Sequence, residues 1–569
     1  LKLRKRSRWS SKAAWRLAAW SWEARTMCSF LLTNALLLRI GLLNRLMRLR
    51  GPDATTRLQT GGLTFLHNLL HMSGARRAQP LRGGAEAGRG VWALFNGEVY
   101  NYRDLEPQAQ SDGEALVPAY QRWGAAFVRR LDGEFALCLA DLDAGRFVVA
   151  VDPFGTKPLF YGRTEDPGIA RSSPSGAGEV FGVASYPSAL AAVLGTAAVR
   201  KVPPNTFLVF DSEFRLLERR AVFEFDLRQH RRHFGDWRAT LEAAVLRRAG
   251  PRHLRRPLFL GLSSGYDSGA LHLALLRRRL GHTAYAVVAR EDPGLLRRRV
   301  HFSLLASAAN SSGRGDGKRP RAGRAQSRVL QLSGHALERE EYWVRRHVEP
   351  HKYELRPGVT SAGGSNHHDP AAWGLSAICR DAGARGGHRA LLSAAGGDEL
   401  FSDYGHPWAV IVSEFSAEPD RLLGIFPEDL RGAFPWRNFF LGSQRDYLMK
   451  EEFVAGAHGV ETRFPFLDRR VVQEFLWITW DSKNRHYKAP IHSYLASFNY
   501  PFVAPLPLDL HVLKGDVLSA EFRRGFSAGY RPLASRSAVV ADFAPGGRFC
   551  AGCLERCWGR VEARVRKRG

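Results

Sequence analysis

The sequence predicts an α/β protein in two parts, a β-rich first part and a second part built on a parallel sheet. Three observations carry this reading. From Cys28 to about Tyr186, short apolar runs are bounded by Gly, Asp and Pro, as strands and their turns are. From Trp237 the order becomes helix, strand, turn, helix, strand, which is that of a parallel βαβ unit. The chain has 569 residues, 45% of them apolar and 24% charged, enough for several domains and ordinary for a globular protein. A disordered chain, a collagen-like fibre and a small disulfide scaffold are excluded. Six cysteines are too few for a disulfide framework, so a reducing, cytoplasmic compartment is expected.

The net charge of +28 would suit a nucleic-acid partner, but 71 of the 83 basic residues are Arg and they are spread through core-like and loop segments alike. That is a compositional bias rather than a basic patch, and no specific nucleic-acid partner is expected. The most apolar stretch, Leu31–Leu49, is broken by Asn34, Arg39, Asn44, Arg45 and Arg48, so no membrane span is expected either.

Taken in order, residues 1–27 read as a basic presequence, which would direct the chain to an organelle, or as upstream sequence joined to a chain that starts at Met27. Strands are predicted around Phe30–Leu32, Val91–Phe95 and Phe135–Leu139, and a connector over about 203–235. A helix over Trp237–Arg248 leads to a strand over Pro257–Leu262, a Ser/Gly turn, a helix over Ala270–Arg279 and a strand over Thr283–Val288. Residues 311–328 read as a solvated, mobile loop. The basic tail from Phe543 carries Cys550, Cys553 and Cys557 without a nearby fourth ligand, so no metal is expected there. His367 and His368 read as a polar loop, and Cys138 and Cys379 as small core residues.

Four segments suit chemistry. Cys28, once freed by removal of Met27, would hold its thiol beside its own α-amine, a built-in general base. Asn96-Gly97, followed by Glu98, could supply an oxyanion hole from a side-chain amide and a backbone N–H. Asn-Gly between apolar runs is also the strongest short hairpin signal, and both can hold at once. The run Phe259–Gly269 passes from an apolar strand through Leu262-Ser263-Ser264-Gly265 to Asp267-Ser268 and a helix. That geometry aims backbone N–H groups at an anion such as pyrophosphate and offers Asp267 to Mg²⁺. Leu391–Phe401 repeats the pattern, with small residues Ser393 and Gly396 before the acids Asp398 and Glu399.

Together these segments resemble the glutamine-hydrolysing asparagine synthetases, a family that includes the β-lactam-forming synthetases. Met27-Cys28-Ser29-Phe30, Arg50-Gly51-Pro52-Asp53, Asn96–Asn101, Ser111-Asp112-Gly113-Glu114, Leu131–Ala136, Asp152–Leu159, Ser263–Gly269 and Glu461–Asp468 follow the family's order from about Met27 to Tyr530. The resemblance implies an αββα N-terminal-nucleophile hydrolase sandwich as a glutamine amidotransferase domain over 28–205 and a connector over 206–236. A parallel-sheet ATP-pyrophosphatase domain over 237–542 and a tail over 543–569 complete the expected organisation. It implies that Cys28 attacks the glutamine amide, that Asn96 and Gly97 stabilise the oxyanion, and that Asn96, Glu98 and Asp112 hold glutamine. Leu262, Ser263, Ser264, Gly265, Asp267, Ser268, Ser393 and Gly396 would bind ATP and its pyrophosphate. Asp267 and Asp398 would hold Mg²⁺, with Glu399 and Arg523 in the synthetase site. Glutamine-derived ammonia would then amidate aspartate through β-aspartyl-AMP; a homodimer is left open.

The chain departs from the family pattern at several places. Leu69 stands where an Arg usually clamps the glutamine carboxylate, and Ser264 where Gly is usual. Ala394 and Ala395 replace the Gly and the acidic or amide residue of the synthetase loop, and Arg523 stands for a Lys. Two alternatives follow: a β-lactam-synthetase-like adenylating ligase with an inactive glutaminase, and a non-catalytic scaffold of the same fold.

Overall fold

A computed structural model describes residues 28–35, 37, 40–72, 74–83, 89–164, 179–287, 292–311, 325–354, 364–402 and 426–502. Residues 1–27, Arg523 and the three tail cysteines lie outside the described residues. The strands are β1 (Ser29–Thr33), β2 (Ala54–Thr60), β3 (Leu63–Leu69), β4 (Leu81–Gly83), β5 (Val91–Val99), β6 (Gly133–Asp141), β7 (Arg146–Val151), β8 (Phe160–Thr164), β9 (Val180–Ala184), β10 (Arg200–Lys201), β11 (Thr206–Phe210), β12 (Leu216–Ala221), β13 (Leu258–Gly261), β14 (His282–Val287), β15 (Ala325–Leu330), β16 (Ala390–Leu392) and β17 (Glu461–Arg463).

Two six-stranded antiparallel sheets, β10-β8-β9-β1-β3-β2 and β12-β11-β7-β6-β5-β4, form the first part. Alternation along the strands decides how they stack, because successive side chains leave opposite faces. Phe30, Leu32 and Phe65 of the first sheet meet Leu94, Cys138 and Val149 of the second in one dry layer. On the far side of the second sheet, Ala93, Phe95, Leu137 and Val148 pack under the helix Leu116–Trp123. On the far side of the first, Leu31 and Leu66 share a core with Leu190 and Val193 of the helix Pro187–Leu194. The result is a helix–sheet–sheet–helix stack.

The second part is a five-stranded parallel sheet, β15-β14-β13-β16-β17. Its central strands β13 and β16 are neighbours in register, Leu260 opposite Leu392, so the loops that leave their C-terminal ends are adjacent. That is where an open α/β sheet places ligands. Among the described residues no helix is long and apolar enough to cross a membrane.

Four expectations need correction. Asn96-Gly97 is not a turn: both residues lie inside β5, paired with Ala136 and Phe135 of β6. The expected connector 206–236 contains β11 and β12, which complete the second sheet, so the antiparallel part runs past residue 205. Residues 325–328 belong to an edge strand rather than a loop. The helix expected from Ala270 starts at Tyr266, which puts Asp267 and Ser268 in its first turn.

Buried ion pairs join the two parts. Arg50, with no exposed surface, donates from Nη1 to the Glu452 carbonyl at 2.8 Å and pairs its other terminal nitrogen with the Glu452 carboxylate. Lys157 Nζ reaches the second oxygen of Glu452 at 2.8 Å and the Thr462 carbonyl at 2.6 Å. Arg248 bridges Glu134 at 2.5 Å and Asp468 at 2.8 Å. Arg463 bridges Glu98 at 2.8 Å and Glu461 at 2.6 Å. Removing one member strands its partners in a low-dielectric interior. Glu452→Gln is therefore expected to cost about 3–5 kcal/mol of unfolding free energy. An unfolding free energy from urea titration within about 0.5 kcal/mol of the native chain would contradict this.

Two candidate active sites

The first site is drawn from the start of β1 and the ends of β3 and β5. Cys28 immediately precedes β1; its Sγ lies 3.3 Å from the Leu70 N–H, which donates to it, and 3.6 Å from the Leu70 carbonyl. Arg50 Nε donates to the Cys28 carbonyl at 3.0 Å. Burial pushes the Cys28 thiol up to about 12; the Leu70 contact opposes this, and the charges of Glu461 and Asp112 add to it. Within a continuous chain this thiol stays protonated at neutral pH, and it needs a proton acceptor to attack anything.

Asn96 is 1% exposed, and its Nδ2 has no partner among the described residues. A buried amide N–H without an acceptor is costly unless a ligand supplies one. Gly97 follows at φ +124°, and a Cβ there would lie 1.9 Å from the Glu134 carbonyl oxygen. Only glycine lets β5 run this close to β6. Glu98 gives one carboxylate oxygen to Arg463. Asp112 Oδ2 accepts from the Val99 N–H at 3.0 Å and Oδ1 from the Gly113 N–H at 2.9 Å. Burial lifts the Asp112 carboxyl to about 6 despite these bonds. Leu69 is buried at the end of β3 and offers no charge to an anion. Beside it in β3, the His67 ring is fully buried and burial holds it neutral, down to about 3.

The second site lies at the C-terminal ends of β13 and β16. After β13 the loop folds on its own hydroxyls. Ser268 Oγ accepts from the Ser263 N–H at 3.1 Å and lies 2.8 Å from Ser263 Oγ, which in turn accepts from the Gly265 N–H at 3.1 Å. Leu262 and Ser264 are buried beneath it. After β16, Ser393 Oγ accepts from the Ala395 N–H at 3.0 Å, and Gly396 turns at φ +95°. Glu399 accepts from the Gly396 N–H at 3.0 Å and so closes its own turn.

Asp267 and Asp398 come together. Lys488 Nζ lies 2.5 Å from Asp267 Oδ2 and 2.5 Å from Asp398 Oδ1, and Tyr487 donates to the same Asp398 oxygen at 3.1 Å. Asp267 Oδ1 is buried without a partner among the described residues. A Cβ on Gly397 would lie 2.4 Å from the Asp267 carboxyl carbon, so that glycine makes room for the carboxylate. Two carboxylates at adjacent strand ends, one with an unused oxygen, are a hard oxygen donor set of the kind Mg²⁺ takes when phosphates fill its remaining positions. Such an ion would neutralise phosphate charge. No group of three or more His, Cys, Asp and Glu side chains arranged for a metal occurs among the described residues.

The sequence-predicted residues thus fall into two sets: Cys28, Asn96, Gly97, Glu98 and Asp112 in one, and Leu262, Ser263, Ser264, Gly265, Asp267, Ser268, Ser393, Gly396, Asp398 and Glu399 in the other. Sequence reasoning missed Leu70, Glu452 and Lys488. A Lys before Ala-Pro gives no sign that it is buried.

Residues 36–203 match the family model described as a glutamine amidotransferase domain. The chain is similar to asparagine synthetase B [glutamine-hydrolyzing] of Escherichia coli, 29% identical over 242 residues, 40% of each chain. It is also similar to the asparagine synthetase [glutamine-hydrolyzing] of Bos taurus, 33% identical over 128 residues, 21% of this chain and 22% of that one. The chain thus spans between about a fifth and two fifths of the length of the curated relatives it matches. A glutamine phosphoribosylpyrophosphate amidotransferase from B. subtilis, complexed with ADP and GMP, aligns over 54% of this chain and 81% of its own. At 15% identity and a TM-score of 0.28, that likeness carries no weight here.

Gly97→Ala should lower stability by at least about 2 kcal/mol, through both the positive φ and the clash with Glu134. An unchanged melting temperature would show that the two strands can part at no cost.

Proposed function

We propose that the chain is a glutamine-dependent amide-forming ligase of the asparagine synthetase type, with an N-terminal-nucleophile glutaminase in its first part and an ATP-pyrophosphatase site in its second. The observation that carries this reading is the pairing of a half-buried cysteine and an unpartnered Asn96 amide in one part with two convergent carboxylates beside a Ser/Gly loop in the other. The matched amidotransferase segment and the named relatives support it.

In this reading Cys28 becomes the first residue of the mature chain. Its α-amine, freed from the peptide bond, takes the thiol proton that burial otherwise retains. The sulfur attacks the glutamine amide carbon, and the Asn96 amide and Gly97 N–H receive the developing oxyanion. Asp112 holds the substrate ammonium, while Glu98 is shared with Arg463 and orients the end of β5. The leaving nitrogen takes the proton held by the α-amine and departs as ammonia; water then hydrolyses the glutamyl thioester on Cys28 to glutamate, and the ammonia passes toward the second part, where enclosure keeps it from protonation and dilution. There the aspartate β-carboxylate attacks the α-phosphorus of ATP, the Ser263–Ser268 loop and the helix Tyr266–Arg277 receive the pyrophosphate released, and ammonia displaces AMP from the acyl-adenylate to leave the amide. Asp267 and Asp398 hold the Mg²⁺ that belongs with that nucleotide. Cytoplasmic placement completes the reading.

Cys28→Ala in protein beginning at residue 28 should abolish glutamine-dependent amidation yet leave ammonia-dependent amidation within about twofold. Equal loss of both would remove the two-site reading. Aspartate-dependent exchange of pyrophosphate into ATP tests the other half, and its absence would leave a scaffold.

The raised Asp112 carboxyl sets a pH window. The carboxylate is needed to hold ammonium, so glutaminase activity should rise with pH through an apparent pKa near 6 and level off above it. For stability the sign is opposite. An acid with a raised folded pKa favours folding at low pH, and that contribution fades between its ordinary value of 3.8 and about 6. Asp112→Asn should flatten the low-pH limb of the pH–activity profile; a limb unchanged in the variant would assign it to another group.

A further inference from the structure

Lys488 is the least expected member of the second site. It is 3% exposed and lies immediately before the helix Ala489–Ser497, in left-handed backbone at φ 47° and ψ 52°. Left-handed backbone is uncommon for a non-glycine residue and is favoured where its surroundings hold it. Here they do: its ammonium is seated at 2.5 Å from a carboxylate on each of two loops that come from different strands. The hydroxyl of Tyr487 approaches from the same segment. Gly397 brings the carboxylates close enough for one cation to serve both.

We infer that Lys488 is an internal counter-cation that keeps the Asp267–Asp398 pair closed to a divalent metal until nucleotide phosphates arrive to receive the ammonium. This rests on the reading of the site as a nucleotide site and adds an order to it. The physical ground is charge. Asp267 and Asp398 with Lys488 sum to one negative charge; a divalent ion added without nucleotide would lie against an ammonium that has nowhere to go. Incoming phosphate oxygens change both sides at once, since they share the metal with the carboxylates and accept the lysine. Lys488 is thus a positioning residue: it holds the two loops together and makes metal and nucleotide bind as a pair.

The test is Mn²⁺ binding to the full chain, read by the electron paramagnetic resonance signal of the free ion, with and without a non-hydrolysable ATP analogue. The native chain should bind one Mn²⁺ with the analogue and none at sub-millimolar concentration without it. Lys488→Met should bind Mn²⁺ without nucleotide about tenfold or more tightly than the native chain, a gain that Lys488→Met/Asp398→Asn loses. Because Lys488→Met leaves two facing carboxylates uncompensated, Mn²⁺ alone should raise its melting temperature and leave that of the native chain unmoved. One-to-one Mn²⁺ binding by the native chain without nucleotide would overturn the inference, however the variant behaves. So would equal Mn²⁺ affinity in the two chains. Failure of the native chain to bind the analogue with Mn²⁺ would instead remove the nucleotide reading itself.

Discussion

The rest of the structure depends on the Glu452 carboxylate, buried without exposure and held from two sides by Arg50 and Lys157. Arg50 also fixes the Cys28 carbonyl, and Lys157 also fixes the Thr462 carbonyl beside Arg463. One acid on a helix of the second part thus sets the start of β1 and the end of β17 in the same frame. The cost of burying such charges is high, and only complete pairing offsets it. Complete pairing in turn admits one relative placement of the two sheet systems. The Arg248–Glu134–Phe464 and Glu98–Arg463–Glu461 contacts repeat the device on either side.

Each site follows a different electrostatic design. Around Cys28, burial and nearby acids hold the thiol neutral, so reactivity waits on a base. Around Asp267 and Asp398, two acids are gathered and matched by one lysine. Among the described residues the Asn96 amide nitrogen has no acceptor, whereas Lys488 is paired with both carboxylates.

The parallel-sheet elements were legible because pattern and tertiary role coincide there. β13 is an apolar run ended by Gly and Ser, and its helix begins where small residues give way to periodic apolar ones. The antiparallel strands around Phe30, Leu94 and Leu137 were legible for the same reason. Asn96-Gly97 misled as a hairpin because the dipeptide usually marks a turn, whereas here Gly97 serves close strand approach. β12 was hidden in the connector because it is an exposed edge rich in Arg and Glu, without strand alternation, whereas β11 is a buried apolar run that the expected boundary at 205 cut off. Asp267 and Asp398 were legible as separate acids, but their meeting depends on β13 and β16 being neighbours. Lys488 was not legible at all, since only tertiary contacts turn an ordinarily solvated lysine into a buried counter-ion.

In the proposed function, nitrogen released at Cys28 is used inside the same molecule at the Asp267–Asp398 site. The most direct measurement supplies glutamine labelled with ¹⁵N in its side-chain amide, together with ATP, aspartate and a large excess of unlabelled ammonium, and reads the isotope in the product amide by mass spectrometry. The account predicts that the product keeps the ¹⁵N label far above its share of total free ammonium. Label diluted to that share would contradict it.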